Sequence, residues 1–169
     1  GVWVVGCLVM EDGDGRRLIG NGMGNKQSQK CFGKYYLHGE ENLENCLAKH
    51  GLSKDAVTDV FLTHLHFDHC GGSIVREGER LVPAFKNAVY WSNKNHWQWA
   101  TVPNDREKAS FLKENILPIQ ESGQLQFIEI PVSDDDNAKL ASIAFTDNIS
   151  VRFANGHTDT GMLPQISYN

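Results

Sequence analysis

The 169 residues suffice for a single domain, which would bury roughly 70% of the surface its unfolded chain exposes. Hydrophobic content of 40% and charged content of 22% are those of a soluble globular protein, and no apolar run approaches the roughly 20 residues of a membrane span. The net charge of −5, without a block of lysines or arginines, supplies no electrostatic footprint for a nucleic-acid backbone, so nucleic acid is not an expected partner.

The chain opens on Gly1-Val2-Trp3-Val4-Val5, which already reads as the inside of a strand; a domain truncated at its N-terminus is the expectation. A chain that opens inside a strand leaves a secretory leader unread, and the expected location is the cytoplasm. Val2 to Met10 is apolar and β-branched, Glu11 to Gly15 supplies a turn, and Arg16 to Ile19 resumes as a strand, which together predict a hairpin. Gly20, Gly22 and Gly24 allow a sharp turn at the strand end, read as structural support and not as a phosphate loop. From Glu40 to His50 the positions Leu43, Cys46, Leu47 and His50 follow helical spacing, and Gly51 is a fitting stop. Val57 to Leu62 reads as a buried strand that runs into Thr63.

Farther along, Gly71-Gly72 is expected to open a helix, Ala88 to Trp91 to form a strand, and Ser92 to cap a helix through Trp99. Asn104 to Asn115 is helical by propensity with Ala109, Leu112 and Ile116 on one face, ended or kinked by Pro118. Leu125 to Ile130 and Ile149 to Ala154 read as strands, and Asp134-Asp135-Asp136 as a solvated turn that lacks the spaced ligands of a calcium loop. Tyr90, Trp91, Trp97 and Trp99 are expected to pack between helix and sheet, and His38, His50 and His96 to be hydrogen-bonding residues and not ligands. Cys7, Cys31, Cys46 and Cys70 form no Cys-x-x-Cys pair and read as buried thiols, with Cys70 a small apolar residue at the start of the Gly71-Gly72 turn. No repeat or low-complexity segment is present.

Chemistry concentrates between Thr63 and Gly72. His64, His66, Asp68 and His69 fall within six positions of a chain holding seven histidines in all. Imidazole nitrogen and carboxylate oxygen are the donors that zinc and similar cations accept, and a catalytic metal needs a few such ligands plus an open position. In an extended or loop backbone residues two apart point the same way, so His64 and His66 can share one ion while Asp68 and His69 turn toward another. No Gly-x-Ser-x-Gly elbow and no Walker loop offers a competing chemistry.

His64-Leu65-His66-Phe67-Asp68-His69 resembles the His-x-His-x-Asp-His signature of the metallo-β-lactamase superfamily of hydrolases. Gly20-Asn21-Gly22-Met23-Gly24 looks like that family's glycine turn after an early strand, and Asn155-Gly156-His157-Thr158 like its later Gly-His-Thr turn. The run from Trp97 through Gln124, with Pro103 to Leu112 inside it, resembles the branch related to N-acyl homoserine lactonases. His66, where the oxygen-reducing di-iron branch has glutamate, is similar to the hydrolytic branch.

The resemblance implies an α/β fold, an αββα sandwich of which this chain supplies the first sheet and part of the second. It implies His64, His66 and His157 around one ion, with Asp68 and His69 on a second. Zinc is the expected metal, with manganese, iron or cobalt accepted by the same donors. The implied reaction is hydrolysis of an ester or lactone, such as an acyl homoserine lactone, by metal-bound hydroxide, with Asp68 also able to pass a proton to the leaving group. The alternatives are an organophosphate triesterase and a catalytically silent metal-binding relative. Two departures stand out. The family's bridging aspartate and further histidine do not occur between His157 and Asn169, which implies truncation at the C-terminus as well, and Gly20-Asn21 stand where an aspartate is common.

Overall fold

A computed structural model describes residues 6–35, 42–131 and 142–167. The expectations for residues 2–5, for His38, for a helix start at Glu40 and for Asp134-Asp135-Asp136 lie outside the described residues.

Strands β1 (Leu8–Asp12) and β2 (Gly15–Ile19) form the expected hairpin. Its turn is tighter than the run Glu11 to Gly15, because Asp12 pairs directly with Gly15 and the left-handed Gly13, at φ 59°, reverses the chain. A short helix α1 (Gln29–Phe32) follows, then α2 (Leu43–Lys49), whose cap Asn42 accepts the Asn45 N–H at 2.9 Å. Gly51, at φ 73°, ends that helix as its sequence predicts. Strand β3 (Asp59–Phe61) leads into the histidine-rich loop.

Here one expectation is corrected. The helical turn is α3 (Phe67–Cys70), upstream of Gly71-Gly72, and those glycines form a 3-10 turn that runs into β4 (Ile74–Glu77). They serve close approach instead: a Cβ on Gly71 would collide with the Met23 carbonyl, and one on Gly72 with the Asn21 carbonyl. β5 (Arg80–Pro83) pairs with β4 as a separate hairpin.

β6 (Val89–Ser92) precedes α4 (Lys94–Thr101), whose cap is Asn93 and not Ser92: the Asn93 side chain accepts the His96 N–H at 2.8 Å. The helix expected over Asn104 to Asn115 is α5 (Lys113–Glu121) instead. Asn104 gathers the N–H of Glu107 on its side chain and that of Lys108 on its carbonyl, which closes a turn, and Leu112 is extended. Pro118 lies buried within α5, forfeiting one intrahelical bond. The remaining strands are β7 (Leu125–Phe127), β8 (Ile143–Ala144), β9 (Ile149–Ala154) and β10 (Gly161–Ile166).

Two main sheets result, ordered β1-β2-β3-β6-β7 and β10-β9-β8. β2, β3, β6 and β7 run parallel, and a parallel sheet must be covered on both faces. Register shows how. Leu18, Val60 and Tyr90 lie side by side and face the cluster that includes Leu47, Trp97, Ile116 and Ile119 of the helices. Their neighbours Ile19, Phe61 and Trp91 face the other way, onto Ile128, Val151, Met162 and Phe145. The described residues therefore form helix, sheet, sheet layers, with Tyr90 and Trp97 in the helix-side core. The expected burial of the thiols is also corrected: Cys70 is fully buried, but Cys7 precedes the outer strand and Cys46 lies on the outer face of α2, and both are exposed.

Candidate metal centre

The centre lies where β3 and the β9–β10 turn end against one another, stitched by the Met162 N–H on the Thr63 carbonyl at 2.7 Å. His64, His66 and His157 converge there, with their donor atoms all within 4.8 Å of one another. Sequence places ninety residues between His66 and His157, and the stacking of the two sheets brings them together. His69 joins the edge of this group, its ring centroid 4.2 Å from that of His64. Its Nε2 stands 3.4 Å from Asp68 Oδ2. All five expected residues thus share one mouth, but among the described residues only His64, His66 and His157 make a donor group of three.

Protonation and satisfaction both favour a cation here. Burial, followed by the imidazoles of His69, His66, His157 and His96, pushes His64 down to about 2. Burial also lowers His66, outweighing the Glu107 contact that raises it. Neutral imidazoles are ligands, and His64 has a nitrogen to spare: its Nδ1 lies 3.1 Å from Thr63 Oγ1, while its Nε2 is buried without a hydrogen-bond partner. An orphaned buried nitrogen facing two further imidazoles fits a metal ion. Cys70 does not join them; burial raises its thiol to about 12, and its Sγ donates to the Leu65 carbonyl at 3.3 Å.

Three supports hold this loop. The first is the glycine turn: the Asn21 N–H bonds the His69 carbonyl at 3.0 Å, the Gly72 N–H bonds the Gly22 carbonyl at 3.1 Å, and Asn21 Nδ2 donates to Ser73 Oγ at 2.7 Å. Asn21 thus supports the loop through its backbone, where the sequence reading left its contribution open. His96 is the second. Fully buried and lowered by burial, it accepts the Leu65 N–H on Nε2 at 2.9 Å, and its Nδ1 donates to the Asp159 carbonyl at 2.5 Å. Leu65 lies between two of the histidines and Asp159 just beyond the third, so one ring ties both segments together.

Glu107 is the third, and the sequence reading missed it. Its Oε2 accepts the Thr158 hydroxyl at 2.7 Å and the Trp99 indole N–H at 3.3 Å, and stands 3.4 Å from His66 Nε2. Burial opposes its ionisation, yet the hydrogen bonds from Thr158, Trp99 and His66 prevail and hold the carboxyl below its ordinary value. Its one sequence signal is its place in the Pro103 to Leu112 stretch. Beyond His157, Thr160 adopts φ 49°, a left-handed backbone that costs a β-branched residue roughly 1–2 kcal/mol. The Asn155 side chain on its N–H at 2.7 Å and Asn93 Nδ2 on its carbonyl at 2.8 Å hold it there.

Residues 3–139 match the family model described as the metallo-beta-lactamase superfamily. The chain belongs to this superfamily. His157 lies beyond the matched residues, so its place in the centre rests on the fold. Among solved structures, a probable metal-dependent hydrolase from Staphylococcus aureus is 22% identical with a TM-score of 0.79, covering 96% of this chain and 53% of its own. AidC, a dizinc quorum-quenching lactonase in complex with a product N-hexnoyl-L-homoserine, is 20% identical at TM-score 0.69, with 96% and 52% covered. The hydrolase AbOPH is 22% identical at TM-score 0.60, with 92% and 49% covered. The chain spans about half the length of these structures, whose likeness is one of fold. No curated protein matches it. As a superfamily member it has the expected α/β class, and no helix among the described residues is long and apolar enough to cross a membrane.

Proposed function

We propose that this chain carries the metal-binding part of a metal-dependent hydrolase of ester bonds, with His64, His66 and His157 holding one ion. The observation that carries this is the buried, unpartnered Nε2 of His64, on a ring grouped with those of His66 and His157. A zinc-like ion bound there would supply an acidified water as the nucleophile. His96 and Glu107 hold the two ligand segments in register, so the donors are placed before any ion arrives. Asp68 and His69, both half-buried at the mouth, take part in holding a second ion. Asp68 can also hand a proton to a departing alcohol.

The proposed substrate is a small ester or lactone, most concretely an acyl homoserine lactone. Support comes from the Trp97 to Gln124 stretch and from the dizinc lactonase among the similar folds. The test is lactone opening by the full-length protein, followed as release of one proton per turnover and abolished by a chelator. Turnover of phosphotriesters without lactones would replace this reading with a triesterase. A metal-loaded, folded protein inert toward lactones, simple esters and phosphotriesters would leave a silent binder, the reading that Gly20-Asn21 favours.

A further inference from the structure

We propose that Glu107 is a positioning residue of the metal centre: its carboxylate accepts the hydrogen bond of the His66 Nε2–H and thereby fixes the tautomer that leaves Nδ1 as the donor. This rests on the reading of His66 as a ligand. A neutral imidazole carries one proton, and the nitrogen that bears it cannot bind a metal. Whatever holds that proton therefore decides which nitrogen is offered.

The contacts around His66 leave little freedom. Its ring is packed against Phe111 at 4.8 Å and against His157 at 4.9 Å between centroids, so Nε2 stays toward Glu107 Oε2 at 3.4 Å. The carboxylate is itself fixed. Glu107 is 8% exposed, and the Thr158 hydroxyl and Trp99 indole already donate to the same oxygen. Behind it, the Glu107 N–H bonds the Asn104 side chain at 2.9 Å, and its carbonyl accepts the Ser110 N–H at 2.8 Å. The Ser110 carbonyl in turn accepts the N–H of Phe67, the residue after His66, at 2.9 Å. The turn that carries the carboxylate is thus bonded to the loop that carries the histidine. A buried carboxylate kept only for packing would be satisfied by Thr158 and Trp99; the approach of His66 adds an acceptor for one particular ring nitrogen.

Two measurements on the full-length protein test this. In the metal-free wild type, nitrogen NMR of labelled histidine should show His66 protonated at Nε2; protonation at Nδ1 would overturn the proposal and does not depend on any variant folding. Zinc(II) affinity, by competition with a chromophoric chelator, should fall about 10–100-fold in Glu107→Leu, which removes the acceptor at similar volume. Thr158→Val, which removes a neighbouring donor and spares the His66 contact, should lose far less. Equal losses in the two variants would mean that Glu107 acts through the Gly-His-Thr turn, against the proposal. Unchanged affinity in Glu107→Leu beside a zinc-binding wild type defeats Glu107 alone, whereas a wild type that binds no zinc defeats the centre itself.

Discussion

Replacing His96 by leucine tests the idea that the two ligand segments are held by buried polar ties. Leucine fills a similar volume but offers neither an acceptor to the Leu65 N–H nor a donor to the Asp159 carbonyl. Leu65 is 0% exposed, so its N–H would be stranded without water, at about 1–3 kcal/mol. Asp159 is only half-buried, so water can replace the lost donor and that loss is about 1 kcal/mol. Together the metal-free protein should lose about 2–4 kcal/mol in urea unfolding, as a lower midpoint at unchanged m. His96→Gln, which restores an acceptor, should recover part of it. A loss below about 0.5 kcal/mol at unchanged m, the size of an ordinary surface substitution, would refute the reasoning.

Three further outcomes follow from the same geometry. The isolated full-length protein should hold close to two zinc-like ions, and His64→Ala or His157→Ala should sharply lower its metal content, as elemental analysis will show; unchanged metal in both variants would remove the assignment. Asp68→Asn should lose the second ion while the ion at His64, His66 and His157 stays, with binding and rate falling together; full occupancy combined with a steep dependence on leaving-group acidity would make Asp68 a proton carrier instead. Burial lowers His64, His66 and His96, so below the ordinary histidine value of about 6.5 the unfolded chain binds more protons than the metal-free fold. Stability should therefore be full above that pH and decline as pH falls below it, and His96→Leu should flatten the slope by up to about 1.4 kcal/mol per pH unit in equilibrium unfolding.

The parts of the fold that could be read from sequence are those decided by neighbours in the chain. The β1–β2 hairpin, the stop at Gly51 and the strand through Val60 each follow from a local pattern of turn residues or apolar runs. Two of the misreadings share one cause, a long-range contact that overrules local propensity. Gly71 and Gly72 carry a helix-opening look, yet they are glycines because the backbone of Met23 and Asn21 passes where side chains would stand. Asn104 to Asn115 has helical composition, but the Asn104 side chain spends itself on the Glu107 N–H and ties the segment to the histidine loop through Ser110 and Phe67.

The site divides along the same line. His64, His66, Asp68 and His69 are legible because one loop must place several donors at one point, and that demand compresses them into adjacent positions. His157 carries no such density of its own and was found through the resemblance of its Gly-His-Thr turn. The residues that set the geometry are dispersed for the opposite reason: a tie between two loops has to come from a third place. His96 reaches back 31 residues to Leu65 and forward 63 to Asp159, and Glu107 reaches 41 back to His66 and 51 on to Thr158. Each works through one or two atoms, so neither leaves a pattern in its own neighbourhood, although both lie in the stretch from β6 to α5 that threads between the ligand segments. Substitutions in that stretch should therefore alter metal affinity without touching a ligand, which is why the ties and not the histidines are the sharper probes of how the centre is built.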